Sequence, residues 1–559
     1  MNTSQQKSAL PNTNNQWEQF DWEPIEKYVR KLQQRIYRAE KLGQKRKVRD
    51  LQRMLMNSQS ALLLSIKRVT QTNKGKKTAG VDGFVALNSN ARYNLYLKMK
   101  KMNIYLHKPK PAYRVYIKKK NGKLRPLGIP VIIDRIYQNV TKLALEPQWE
   151  VHFEPTMYGF RPERSCQDGI MRIYLSLMRK KRQWIFEGDF KNCFGTLNHE
   201  YIMKQVGSFP ADKIIYRWLK AGYVDNDVFN DTDSGTPQGS IVSPLLANIA
   251  LNGMGDALGV KYKITRKANG VTKYENTGKY ALSVYADDFV IMCYTKEDAE
   301  NIYNSISNYL NTRGLELAEE KTKITNIAAG FNFLGFNIRT YKDGEKSKLL
   351  IKPSKKSVET LRGKISDIFK ECTGNNVGNL ISKLNPVVIG TANYWNTQVS
   401  KEIFGDIDNY LWIKTRRFLN RLHPKKSNQW KKNQYFKPDV AGQSKDKWIL
   451  TDPITTKQLT KMNWTPIVRH EIIKHDFSPF NDKLEKYFQM RKVKEFDKNN
   501  IKSRQKIAKR QKYICSLCKN DITDGKEILV THYKKPKIFG GTNEYKNIQI
   551  GRASCRERV

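Results

Sequence analysis

The stretch Leu282-Ser283-Val284-Tyr285-Ala286-Asp287-Asp288-Phe289-Val290-Ile291-Met292 sets two adjacent carboxylates between two apolar runs. The flanks read as buried strands, and acids at the end of such strands are costly to bury unless a cation compensates them. Carboxylate oxygens are hard ligands and favour magnesium, which keeps waters and substrate phosphates in its shell and needs only one or two protein carboxylates. Taken alone, the stretch reads equally well as a solvated hairpin tip. A third acid shifts the balance. Asp189 ends the apolar run Trp184-Ile185-Phe186-Glu187-Gly188, about a hundred residues upstream. If folding joins the two strands, three carboxylates can hold the pair of ions, about 4 Å apart, that in-line phosphoryl transfer uses. One ion would activate an attacking 3′ hydroxyl and the other would neutralise a leaving pyrophosphate.

The whole chain suits a polyanionic partner. It has 559 residues, with 101 Lys and Arg against 53 Asp and Glu, a net charge of +48. Such an excess would repel itself in a compact state unless a polyanion answers it, and nucleic acid is the commonest. The length predicts several compact units. Membrane binding is the weaker reading, because no apolar run is long enough to span a bilayer and Met1–Phe20 carry neither a signal peptide's apolar stretch nor a presequence's arginines. A soluble, cytoplasmic protein is expected. Hydrophobic content of 39% is enough for real cores, and seven cysteines do not make a disulfide scaffold.

Working outward, residues 1–20 are polar and expected to be disordered. Ile25, Val29, Leu32 and Ile36 step at helical spacing, and Val48, Leu51, Leu55, Leu62 and Ile66 resume it after Gly43, predicting two amphipathic helices with a basic outer face. Tyr113, Val115 and Ile117 alternate ahead of Asn121-Gly122, the signature of a hairpin, here a basic one. From 180 to 340, apolar runs alternating with helical stretches suggest a sheet flanked by helices. Beyond Pro353 the pattern is mainly helical to about residue 425. A lysine-rich region dotted with tryptophan follows, and Arg491–Tyr513 carries ten basic residues against two acidic ones. The last nine residues, GRASCRERV, look like a translated sequencing adapter, so the natural sequence is expected to break off near Ile550 and Cys555 belongs to no site.

Five further motifs, with YADD, carry a resemblance. NKGKKTAGVDG (Asn73–Gly83), RPLGIP (Arg125–Pro130), YGFRPERS (Tyr158–Ser165), GTPQGSIVSPLLAN (Gly235–Asn248), YADD and FNFLGF (Phe331–Phe336) stand in the order seen in group II intron reverse transcriptases, also called maturases. The chain resembles that family from about Trp22 to Ile550. The resemblance implies a multidomain α+β protein, a right-hand polymerase with fingers, an α/β palm and an α-helical thumb, followed by a basic DNA-binding region and a truncated zinc/HNH-type ββα-metal module. The implied divisions are 21–180 for the N-terminal extension and fingers, 181–345 for the palm, 346–440 for the thumb or maturase domain, 441–513 for the basic linker and DNA-binding region, 514–550 for the truncated endonuclease and 551–559 for the adapter remnant.

By the same resemblance, Asp189, Asp287 and Asp288 hold two catalytic Mg2+ ions, assisted by the backbone carbonyl of Phe190. Phe194 crowds the sugar 2′ position, with core packing as its plainer reading, and Gly195 departs from the family's frequent aspartate. Lys119 and Arg125 clamp the incoming triphosphate, as a planar guanidinium can. Lys118, Lys120 and Lys123 are read as solvated charge. Gln238 and Gly239 belong to the loop under nucleotide and template, Tyr285 and Ala286 complete the YADD element, and Lys321 matches a lysine near the leaving phosphates.

Lys352, Lys355, Lys356, Tyr394 and Trp395 are the implied RNA-binding residues, with at least one of the two aromatics expected to be core. Cys515 and Cys518 form half of a zinc site, which normally needs four ligands. His532, Gly540-Gly541 and Asn547 fit a His-Asn-His nuclease, but Thr531 stands where the family commonly has another histidine. The expected function is an RNA-directed DNA polymerase that also promotes splicing of its intron and supports retrohoming, with intron RNA, target and primer DNA and dNTPs as partners, no membrane, and a homodimer allowed for. The weighed alternatives are a splicing cofactor without polymerase activity and a retron or diversity-generating reverse transcriptase. The intact aspartates count against the first. The long amino-terminal extension counts against the second.

Overall fold

The computed structural model describes residues 16–118, 122, 124–179, 181–266, 272–439, 444–500, 502–518, 521–523, 525, 529–536, 539–542 and 544–552. The amino-terminal part is helical, with Trp22–Lys41 capped by Asp21, then Lys45–Met56 and Gln59–Lys67. The second predicted helix is thus two, because the Ser58 side chain accepts the amide of Ala61 and caps a new start. Val29, Leu32, Ile36, Val48, Leu51, Leu55 and Ile66 face one core and pack toward the helix Ile132–Trp149. The expectation of disorder through residue 20 reaches too far. Trp17 is 2% exposed, donates to Gln71, and sits among Phe20 and Trp22.

The predicted hairpin forms from β1 (Ala112–Lys118) and β2 (Leu124–Ile129), paired from Tyr113 with Ile129 to Lys118 with Leu124. Lys119, Lys120, Asn121 and Lys123 lie outside the described residues. Strand β3 (Trp184–Asp189) opens the central sheet. The short β4 (Tyr223–Asp225) and β5 (Val228–Asn230) return to the hairpin, giving a sheet of order β2-β1-β4-β5 that no local pattern announces. After the ribbon of β6 (Tyr262–Arg266) and β7 (Thr272–Asn276), the central sheet resumes with β8 (Ala281–Tyr285), β9 (Asp288–Cys293) and β10 (Lys323–Asn326), in the order β10-β3-β9-β8 and antiparallel throughout.

Alternation places this sheet between two cores. Phe186, Leu282, Val284, Phe289 and Ile291 enter one, with Ile249 and Ile306 of flanking helices. Ile185, Ala281, Val290 and Met292 enter the other, with Ile170, Ile173 and residues of the following helical unit. Strands covered on both faces need apolar residues at nearly every position, which is why the runs around the acids lack polar alternation.

A meander of β11 (Phe331–Phe333), β12 (Phe336–Asp343) and β13 (Lys346–Pro353) leads into three helices, Lys355–Glu371, Val377–Trp395 and Lys401–Leu422, as the pattern beyond Pro353 predicts. The chain then returns over the earlier part. Arg164 donates to the carbonyls of Ile473, Lys474, His475 and Phe477, while Asp168 accepts from His470 and from the amide of Ile473. Helices Glu485–Asn499 and Lys502–Arg510 follow, succeeded by the short strands Leu529–Tyr533 and Ile548–Arg552. The last of these pairs Gly551 with Val530 and Arg552 with Leu529, so the strand runs past the predicted break at Ile550. Cys555 lies outside the described residues. Among the described residues, no helix is long and apolar enough to cross a membrane.

Candidate active site

The central sheet brings the distant acids together by backbone pairing. Strands β3 and β9 run in a register that sets Asp189 opposite Asp288, and Tyr285 faces Asp288 from β8. Asp287 lies in the turn between β8 and β9, after Ala286, whose φ of 58° is uncommon for a residue with a side chain. The YGF segment braces this turn. Tyr158 donates its amide to the Val284 carbonyl at 2.9 Å, and a Cβ on Gly159 would lie 2.3 Å from the Ala286 nitrogen. Only glycine allows that approach.

The electrostatics follow from the register. Withdrawal from water and the like charges of Asp287 and Asp189 push the Asp288 carboxyl up to about 6, although part of its surface stays open, with Lys321 opposing the shift. The same negative field reaches the buried Cys193 thiol, which burial first, and then Asp287 and Asp189, push upward. The Lys321 ammonium donates to Asp189 Oδ2 at 2.9 Å. Clustered carboxylates whose charges raise the pKa of Asp288 are a donor set that a divalent cation stabilises, and their hard oxygens fit magnesium with waters and phosphate completing its shell. Among the described residues, no three His, Cys, Asp or Glu side chains are gathered closely enough to enclose an ion unaided. One Asp189 oxygen is held by Lys321 instead.

The other predicted nucleotide contacts lie on several elements. Phe190 is buried, its ring 5.0 Å from that of Phe289. Phe194 is half-buried and meets Phe160 edge to face at 6.3 Å. Its carbonyl accepts the Thr236 amide at 2.6 Å, and the Gln238 carbonyl accepts the Gly128 amide at 2.7 Å, so the PQG loop bridges Phe194 and strand β2. Gly239, φ 121°, closes against the Gly128 carbonyl. Arg125 is exposed on β2 opposite Ile117. A Cβ at Gly195 would fall 2.2 Å from the Asn192 side-chain amide, so an aspartate there would require that side chain to move.

Two features of the frame escaped the sequence reading. Arg161 makes a bidentate pair with Glu150, at 2.8 and 3.0 Å, with both side chains almost wholly buried. The turn Leu334-Gly335, with φ of 46° and 81°, is held from the helical unit: Tyr394 donates to the Leu334 carbonyl at 2.8 Å, and Ser357 donates to the Gly335 carbonyl at 2.9 Å. Only the order of YGFRPERS and FNFLGF hinted at either.

The predicted RNA-binding residues divide. Lys352, Lys355 and Lys356 line an open cavity of about 780 Å3 with Tyr341, Asn332 and Asn337. Trp395 is 3% exposed, and Tyr394 stacks on Phe336 at 5.4 Å while its hydroxyl is engaged. Trp395 is covered by protein, which corrects its reading as a stacking platform for RNA, whereas Tyr394 is half-buried with one face on Phe336. In the C-terminal part, Cys515 is buried and the neighbouring Cys518 pulls its thiol down to about 4. His532 meets Gln549 at 2.8 Å. The Asn547 side chain is tied to Lys535 and Thr542.

Comparison with known proteins places this geometry. Residues 117–338 match the family described as reverse transcriptase (RNA-dependent DNA polymerase), residues 17–99 the N-terminal domain of reverse transcriptase, and residues 358–436 the group II intron, maturase-specific domain. Protein YkfC of Escherichia coli is 36% identical over 317 residues, 52% of this chain and 83% of that protein. The group II intron-encoded protein LtrA of Lactococcus lactis is 32% identical over 331 residues, covering 49% of this chain and 54% of LtrA, about half its length. Maturase-like protein 1 of Euglena gracilis is 27% identical over 66% of this chain and 76% of its own length. With the paired acids of the sheet in a matched polymerase segment and a maturase-specific domain directly after it, the chain belongs to the group II intron-encoded reverse transcriptases, RNA-directed DNA polymerases that carry a maturase domain.

Proposed function

We propose that this protein is the multifunctional product of a group II intron: it copies RNA into DNA at Asp189, Asp287 and Asp288, binds its intron RNA to promote splicing, and supports insertion by target-primed reverse transcription. The observation that carries the reading is the cross-strand register of Asp189 and Asp288, beside Asp287 and Lys321. The central sheet is the palm, the β1–β2 hairpin belongs to the fingers and the three helices form the thumb. Asp189, Asp287 and Asp288 would hold magnesium, which when bound would activate the primer 3′ hydroxyl and neutralise the leaving pyrophosphate.

The chain's own residues do the placing. Arg125 offers a planar guanidinium to the triphosphate, and Lys321 exchanges its Asp189 contact for a phosphate oxygen as pyrophosphate forms. Phe194 and the PQG loop, tied through Thr236, form one wall of the nucleotide seat and crowd a 2′ hydroxyl. Lys352, Lys355 and Lys356 take RNA phosphates. At the C-terminus, Cys515 and Cys518 supply two ligands where structural zinc needs four, and among the described residues no third joins them. His532 and Asn547 remain candidates for the nuclease.

The test is primer extension on an RNA template beside splicing of the intron transcript, with the unmutated chain and Asp287→Ala. Loss of extension with splicing retained is expected. No extension by the unmutated chain at any magnesium concentration would overturn the polymerase and leave an RNA-binding splicing cofactor.

A further inference from the structure

Between the first and third helices of the helical unit lies a cavity of about 460 Å3 that no predicted site includes. Its inner wall is apolar, formed by Phe369, Phe418 and Leu422, with the two rings edge to face at 6.1 Å. Its rim is cationic, formed by Lys370, Lys414, Arg417 and Arg421, and no acidic residue lines it. Lys414 is held in place by a 3.0 Å hydrogen bond to Ser366 Oγ. Lys370 has Asp367 nearby at 3.8 Å, but Arg417 and Arg421 are exposed and, among the described residues, form no ion pair. A solvated basic face would not need an aromatic-walled recess behind it. The volume falls within the range of small-ligand sites, roughly 300–1,000 Å3.

An apolar recess ringed by cations is complementary to a flat heteroaromatic group flanked by phosphates. Recognition of unpaired RNA uses this combination, since bases that leave the stack lodge against aromatic side chains while arginines hold the backbone. All the lining residues fall within 358–436, the part matched to the maturase-specific domain, so RNA is the occupant the location favours. We propose that this cavity receives an unpaired base extruded from folded RNA, with Arg417, Arg421 and Lys370 on the flanking phosphates and Phe369 and Phe418 against the base. The proposal rests on the helical unit being an RNA-binding domain and adds to it a pocket for a single nucleotide.

The test uses the full chain and four probes: an RNA hairpin with one bulged fluorescent purine, the same hairpin fully paired, and the DNA counterpart of each. Wild type should bind the bulged RNA about tenfold more tightly than the paired RNA, in line with base-on-aromatic stacking, with a change in purine fluorescence. Leu422→Trp fills the recess without altering charge and should abolish the preference while sparing paired-RNA affinity. Ser366→Trp fills it from the opposite helix, so that a folding defect in one variant does not decide the result. Arg417→Ala with Arg421→Ala should weaken both RNAs. Equal binding of bulged and paired RNA by wild type, or a preference surviving both filled variants, overturns the pocket, and an equal response to bulged DNA overturns its assignment to RNA. Primer extension by the same wild-type preparation separates the readings: a chain that extends primers without preferring the bulge refutes the pocket alone.

Discussion

The central sheet and the C-terminal segment were both flagged by short motifs, YADD in one and CxxC in the other, and the structure treats them differently. In the sheet, β3 pairs with β9 and carries Asp189 across about a hundred residues of chain to face Asp288, so the motif gains a partner it did not contain. In the C-terminal segment the motif residues are engaged close to home. Cys515 turns to Cys518, His532 to Gln549, and Asn547 stitches a neighbouring loop. A motif acquires chemistry when the fold delivers complementary groups to it.

That contrast can be broken first at the acids. Asp189→Ala should lower primer extension about a thousandfold, since the carboxylate underpins several kcal/mol of charge stabilisation in the transition state, while RNA affinity in a filter-binding assay stays the same. Extension that persists would sink the sheet's side of the contrast. Next is the frame. Arg161→Ala strands the buried Glu150 carboxylate and should cost about 3 kcal/mol in chemical denaturation.

Asp168 gives a pH-dependent version of the same test. Burial would raise its pKa, but the His470 hydrogen bond and charge, the Ile473 amide and Arg164 outweigh it and hold the carboxyl below its ordinary value. A depressed carboxylate contributes stability that is complete above the unfolded pKa of about 3.9 and is lost as pH falls through the lower folded value. Asp168→Asn should therefore release the 467–480 segment to protease and cost about 2 kcal/mol at neutral pH, with the gap to wild type closing below about pH 4. Tyr394→Phe keeps its stack on Phe336 but loses the bond to Leu334, a cost of about 1 kcal/mol. The smallest effect sharpens the C-terminal side: Cys515→Ser should leave primer extension within about twofold of wild type, whereas its loss would tie that segment to the polymerase.

How much was legible depended on range. The apolar runs of β3, β8 and β9 announced strands, and the pattern after Pro353 announced a mainly helical region, because those signals are set within a few residues of chain. The break at Ser58 was missed because the apolar step continues across it while a side-chain cap restarts the helix. Strands β4 and β5 were missed because they are short and gain their place only by pairing, β4 with β1 and β5 with β4. Tyr394 and Trp395 misled for a related reason: aromatics beside lysines look alike in sequence whether they face RNA or a core, and only packing on Phe336 and the covered position of Trp395 separate the two.

By itself the sequence determined the acids, the charge excess, the order of the motifs and the family they resemble, all of which are properties of composition and spacing. Only the tertiary structure decided that Asp189 stands opposite Asp288, that Lys321 reaches it, that residues 467–480 return to Arg164 and Asp168, and that a cation-rimmed recess opens between two helices. The reason is physical. Strand register and helix crossing are set by which apolar faces pack across long stretches of chain, and the chemistry at their edges follows from that packing.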